Sequence, residues 1–238
     1  MDAQRTQDID AVAEATEKLL ATIGALTDTA IHAPSGLPGW TRGHVLAHIE
    51  GNARGLARLV RQLGDGIERP MYVSRDVRNA DVTLHATWSA AAHRGAVAQS
   101  AEEFELDVRA VPDERWVGTV TLGNGTVISV DRVLPQRLLE VCVHHSDLDV
   151  PTYTWLDWPE RLAEFFLPVL TDDFRNRGGF VVDWVQADDG ERVSVTERGE
   201  TGVRGDSLAL LAWLLGRSDG AGLVAVGLDA VPPAPTWV

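Results

Sequence analysis

Through the N-terminal part of the chain, apolar positions recur at intervals of three and four, the period of an amphipathic helix. Ile9, Val12, Thr16, Leu19, Leu20, Ile23 and Leu26 predict a helix over residues 6–28. A loop with Pro34, Gly36, Pro38 and Gly39 follows. Thr41 is suited to cap a second helix, which runs to about Leu63 and buries Val45, Ile49, Leu56, Leu59, Val60 and Leu63. His48 lies beside that stripe. A third long helix begins near Arg75 or Asn79 and carries Val82, Trp88, Val97 and Phe104 to about Leu106. Strand-like pieces at 117–121 and 126–130 precede a fourth helix, with Pro135 in its first turn, where a missing amide proton is tolerated. Four long helices joined this way predict a helical bundle with its site built from facing helices.

The pattern changes after Pro151 and the aromatic stretch Tyr153–Pro159, which divides the chain into a bundle over 1–155 and a small module over 156–238. The module reads as a helix from Pro159 to about Arg177 and a strand over 180–186. An Asp188-Asp189-Gly190 turn leads to a strand over Val193–Glu197. A helix capped by Asp206 or Ser207 then runs through Leu215, before a short strand over 223–227. The fold class is therefore α+β.

Composition narrows the function. The 238 residues carry 35 acidic against 21 basic side chains, a net charge of -14. That excludes the basic footprint of a nucleic-acid binder and argues against docking on anionic membranes. Lys18 is the only lysine. The single cysteine, Cys142, leaves no internal disulfide and fits a reducing cytosol. The N-terminus lacks the pattern of a signal peptide, and no apolar stretch approaches about 18 residues, so a cytoplasmic protein is expected.

The fourth helix carries the most unusual chemistry. In Leu138-Leu139-Glu140-Val141-Cys142-Val143-His144-His145-Ser146-Asp147-Leu148, Glu140 and His144 stand four apart, on one face of a helix whose neighbours are apolar. A buried carboxylate beside a buried imidazole is costly unless something binds both. A divalent metal would do so, with His48 as a third ligand, and two His with one Glu suit zinc with one position left open. The same residues also read as hydrogen-bonded histidines with Glu140 paired to an arginine. His44 is the rival ligand to His48. His145 points about 100° away from His144, as a surface or supporting residue, and Cys142 reads as packing. His85 and His93 lack partners at ligand spacing. Asp147 and Trp40 read as structural residues or supports of the ligands: Asp147 is close enough to orient His144 or cap the loop, and Trp40 can act as a hydrophobic staple for the second helix.

Several stretches together carry a resemblance. They are Gly39-Trp40-Thr41 with His48; Pro70-Met71-Tyr72-Val73-Ser74 with Arg78-Asn79; and Glu140-Val141-Cys142-Val143-His144 with Asp147-Leu148. Near the C-terminus, Gly216-Arg217-Ser218-Asp219-Gly220 precedes Val231-Pro232-Pro233-Ala234-Pro235-Thr236-Trp237. This set resembles the mycothiol-dependent maleylpyruvate isomerases of the DinB-like metalloenzyme superfamily. The resemblance implies a DinB-like four-helix bundle followed by a small C-terminal α+β domain, and metal ligands at His48, Glu140 and His144. It implies zinc and mycothiol as cofactors, with Arg78 and Arg217 contacting cofactor or substrate and Arg217 essential for catalysis.

The implied reaction adds a thiolate to the cis double bond of maleylpyruvate, lets the resulting single bond rotate, and expels the thiol to leave fumarylpyruvate, a step in gentisate-type aromatic degradation. Arg217 would grip a substrate carboxylate from a cleft between the two domains; its other reading is an arginine at the C-terminus of the helix ending near Leu215. Two alternatives stand beside the isomerase. One is a mycothiol S-transferase joining the thiol to an electrophile; the other is a non-catalytic, metal-stabilised binding protein.

Overall fold

The computed structural model describes residues 2–234 except 189, 191, 197 and 198. Asp189 of the turn signal, Glu197 of the predicted strand and Pro235-Thr236-Trp237 of the tail lie outside the described residues. The chain divides into two compact units, Met1–Thr152 and Tyr153–Val238.

In the first unit, α1 (Ala3–Ala25), α3 (Arg42–Asp65), α5 (Ala90–Ala110) and α6 (Val133–Ser146) form the bundle: α1 packs on α5 and α6, and α3 packs on α5 and α6. Its core includes Leu19, Ile23, Leu46, Ile49, Leu56, Val97, Phe104 and Leu134, each at most 2% exposed. The predicted first helix divides. Leu26 is extended, and Thr27 accepts from the Ala30 N–H to start α2 (Asp28–Ile31).

The predicted single helix from Arg75 to Leu106 is likewise two, α4 (Arg75–His85) and α5. Ser89 caps α5 by accepting from Ala92 N–H, and Asp28 accepts from Ala90 N–H. The break brings the Ala86 carbonyl to within 2.3 Å of where a Cβ on Gly43 would stand, so only glycine fits at that crossing. The two strand-like pieces form an antiparallel hairpin, β1 (Thr119–Thr121) and β2 (Val127–Ser129).

The second unit holds α7 (Arg161–Arg177), α8 (Ser207–Leu214) and a four-stranded sheet. The strands β3 (Trp184–Ala187), β4 (Arg192–Ser194), β5 (Gly202–Gly205) and β6 (Val224–Val226) lie in the order β4-β3-β5-β6, with β3 and β5 parallel. Sequence pattern does not announce β5, because two of its four residues are glycine. Packing explains one of them: a Cβ on Gly202 would enter the Trp184 indole at 2.1 Å. Asp183 ties the neighbouring loops together by accepting from the N–H groups of Glu200 and Thr201 and the hydroxyls of Thr196 and Thr201.

Candidate metal centre

The site is set by two helices. Helix α3 starts at Thr41, whose hydroxyl accepts from His44 N–H while His44 Nδ1 accepts from Thr41 N–H at 3.2 Å. That capping box occupies His44, so the rival ligand helps start the helix and does not join the cluster. One turn later the helix presents His48. Helix α6 presents Glu140 and His144 one turn apart. Arg137, three residues before Glu140, donates from Nη1 to Ile49 O and Asn52 Oδ1, both at 2.9 Å, and so locks α6 to the turn of α3 that follows His48.

His48 Nε2 then lies 3.0 Å from Glu140 Oε2 and 3.0 Å from His144 Nε2, and His144 Nε2 lies 3.5 Å from the same carboxylate oxygen. Tetrahedral zinc with bonds of about 2.0–2.1 Å needs ligand atoms about 3.3 Å apart, so these three edges fit one face of its coordination shell. The side chains are 12%, 19% and 16% exposed, which leaves an approach for a fourth ligand. Among the described residues these three form the group able to hold a metal ion.

Electrostatics separates the three. Burial acts to raise the Glu140 carboxyl, but hydrogen bonds from His144 and His48 outweigh it and hold the pKa well below the ordinary carboxylate value. Burial acts to lower His144; hydrogen bonds to Asp147 and Glu140 outweigh it and lift the imidazole to about 9. His48 is lowered, by burial first and then by the charge of His144.

Behind His144, Asp147 Oδ2 accepts from Nδ1 at 2.7 Å, which orients the ring and turns Nε2 toward the cluster. Behind His48, Arg78 Nη2 donates to Nδ1 at 2.7 Å. Trp40 borders the same ring, with centroids 6.0 Å apart and the Arg78 guanidinium carbon 6.0 Å from the indole. That place beside a candidate ligand is the supporting role expected of it, together with the staple.

Other expectations meet different outcomes. His145 is no surface residue: it is 1% exposed, and its Nε2 pairs with Thr22 Oγ1 at 2.8 Å, joining α6 to α1. Cys142 is fully buried. His85 pairs with buried Glu50 at 3.0 Å and stacks on Trp88, and His93 is buried and pushed down to about 4, first by desolvation.

In the second unit, Arg217 follows α8 and donates from Nη1 to Leu215 O at 2.6 Å, the helix-end contact anticipated as its alternative role. Two residues of the site escaped the sequence reading. Arg137 stands in an apolar run one turn before Glu140, a spacing that could have flagged it, and Tyr72 had no signal beyond the Pro70–Ser74 motif.

Comparison with known proteins is consistent with this geometry. Two crystal structures of mycothiol-dependent maleylpyruvate isomerase, one of them a histidine-to-alanine variant, match with a TM-score of 0.89 at 23% identity over 100% of both chains. At that identity the likeness establishes the fold. No curated protein matches the chain. The family model described as the mycothiol maleylpyruvate isomerase N-terminal domain matches residues 12–149, which hold all three clustered side chains. That span is more than half of the sequence, and the chain belongs to the mycothiol maleylpyruvate isomerase N-terminal domain family.

Proposed function

We propose that the chain is a metal-dependent, mycothiol-dependent cis–trans isomerase that converts maleylpyruvate to fumarylpyruvate. The observation that carries this reading is the His48–Glu140–His144 cluster, its edges spaced for a tetrahedral ion, inside the span that defines the family. Two imidazole nitrogens and one carboxylate oxygen suit zinc, which supplies, when bound, a Lewis-acidic position that favours the thiolate form of a thiol. Mycothiol, when bound, would supply a nucleophilic sulfur able to add reversibly to the double bond.

The protein's own part is to hold and orient. Asp147 keeps a proton on His144 Nδ1, Arg137 fixes the distance between the ligand-bearing helices, and Trp40 shields one side of His48. Near the cluster the carboxylates of Glu140 and Asp147 are matched by the guanidiniums of Arg78 and Arg137. A divalent ion therefore leaves two positive charges in excess, which suits a substrate with two carboxylates. Arg217 enters the proposal as the grip on one carboxylate, on the strength of the sequence resemblance.

The test is turnover of maleylpyruvate by the purified protein with and without mycothiol, before and after chelation. Turnover that needs both thiol and metal supports the reading. Consumption of mycothiol into an adduct, with no fumarylpyruvate formed, replaces it with S-transfer.

A further inference from the structure

Beside the metal cluster stands a phenol to which the reaction as described assigns no role. Tyr72 lies in the loop between α3 and α4, half-buried, its ring held between two glycines from separate elements. A Cβ on Gly55 of α3 would come within 3.0 Å of Tyr72 Cε1, and one on Gly123 of the β1–β2 turn within 2.5 Å of Cε2. The neighbouring Met71 sulfur accepts from Gly123 N–H at 3.2 Å, closing the same cradle. The ring's position is thus set by backbone on both sides.

Its hydroxyl falls among charges. The guanidiniums of Arg78 and Arg137 and the Glu140 carboxylate all act on it. A neutral phenol can accept from a guanidinium and donate its own O–H. Burial, followed by the Glu140 charge, pushes the phenol up to about 12, so it stays a neutral donor at physiological pH.

A second observation points to an anion. Arg137 is fully buried, yet its Nε and Nη2 have no hydrogen-bond partner among the described residues. Burial lowers it to about 10, and the charges of Glu140 and Tyr72 act the other way. Those atoms are enclosed in the bundle, so Arg137 acts on the site through its charge, which a divalent ion held by Glu140 would leave in excess. An anion at Tyr72 would balance it.

We infer that Tyr72, backed by Arg78 and Arg137, forms an anion-binding wall beside the metal cluster and donates its O–H to a carboxylate or enolate oxygen of the substrate. The inference deepens the proposed function and rests on it only for which anion is bound. A fixed phenol donor suits an oxyanion because the hydrogen bond is in place before charge develops. Tyr72 would therefore select substrates that carry an anionic group at this distance from the metal over neutral electrophiles.

Calorimetric titration of maleate, a cis-dicarboxylate, into the zinc-loaded full chain tests this. Tyr72→Phe keeps the ring in its cradle and removes only the donor. It should retain full zinc content and bind maleate about ten- to a hundredfold more weakly, the scale of one hydrogen bond to a charged group. Gly123→Ala keeps the hydroxyl but displaces the ring, and should also weaken binding. Unchanged maleate affinity in Tyr72→Phe, or no maleate binding by the zinc-loaded wild-type protein, would overturn the inference. If maleate binds as expected but maleylpyruvate is not isomerised, the functional reading fails and the anion wall stands.

Discussion

His48 and His144 face the same space, their rings 4.5 Å apart and nearly perpendicular, yet they are backed by opposite charges. A carboxylate stands behind His144 and a guanidinium behind His48. Asp147 raises the basicity of its imidazole and holds it in the tautomer that aims Nε2 at a metal. Arg78 does the reverse: it occupies the Nδ1 lone pair of His48 and so places that ring's proton on Nε2, and a metal on Nε2 must move the proton to Nδ1 and displace the guanidinium. The α6 half of the site is built to hold a cation. The α3 half couples that cation to the arginine and phenol that face an anion.

The largest test of that asymmetry is deletion of each imidazole. His144→Ala should leave no measurable zinc at stoichiometric loading, and His48→Ala a weak residual site; both should lose about a thousandfold or more in turnover with the helical circular dichroism kept. Equal zinc retention would break the comparison, and full zinc in His48→Ala would move the ligand role to His44. Arg217→Lys sets the contrast from outside the cluster. It keeps the charge but loses the planar fork, and should cost about 2–4 kcal/mol in kcat/KM with zinc content unchanged. Near-normal turnover by Arg217→Ala would remove it from the reaction.

Asp147→Asn should weaken zinc binding about ten- to a hundredfold, as measured by competition with a chelator. The pH dependence follows from the same residue. His144 is lifted to about 9, above its ordinary value of about 6.5, so in the metal-free protein its stabilisation is complete below about 6.5 and is lost as pH rises through about 9. Zinc must displace that proton, so its apparent affinity should rise about tenfold per pH unit over the same window. Melting curves of the metal-free protein and zinc titrations should therefore move in opposite directions between those limits, and both trends should shrink in Asp147→Asn. The smallest expected effect is that of Arg78→Ala, which should strengthen zinc binding by severalfold. A loss of zinc affinity there would show that Arg78 supports His48 as a ligand, and the comparison would fail.

Much of this architecture was legible in the residues. Periodicity marked α1 and α3, and Thr41, Pro135 and the Asp206-Ser207 pair marked helix starts, because these signals act within one or two turns. The Glu140–His144 pair was visible for the same reason: a spacing of four places side chains on one face of any helix. The break at Ala86–Ser89 was not legible, since its cause lies in the contact between Ala86 O and Gly43 on another helix. Strand β5 was hidden because Gly202 reads as loop until Trp184 is known to lie over it.

The sequence by itself determined which side chains could bind a metal and which helices would carry them. Only the tertiary structure decided that His48, 92 positions from Glu140, completes the cluster while His44 is taken up by a helix cap. It also decided that Arg78 and Asp147 stand behind different rings, and that Tyr72 and Arg137 border the site. Helix faces and caps follow from short-range backbone geometry. Which face meets which follows from how the whole core packs, and no local pattern encodes that.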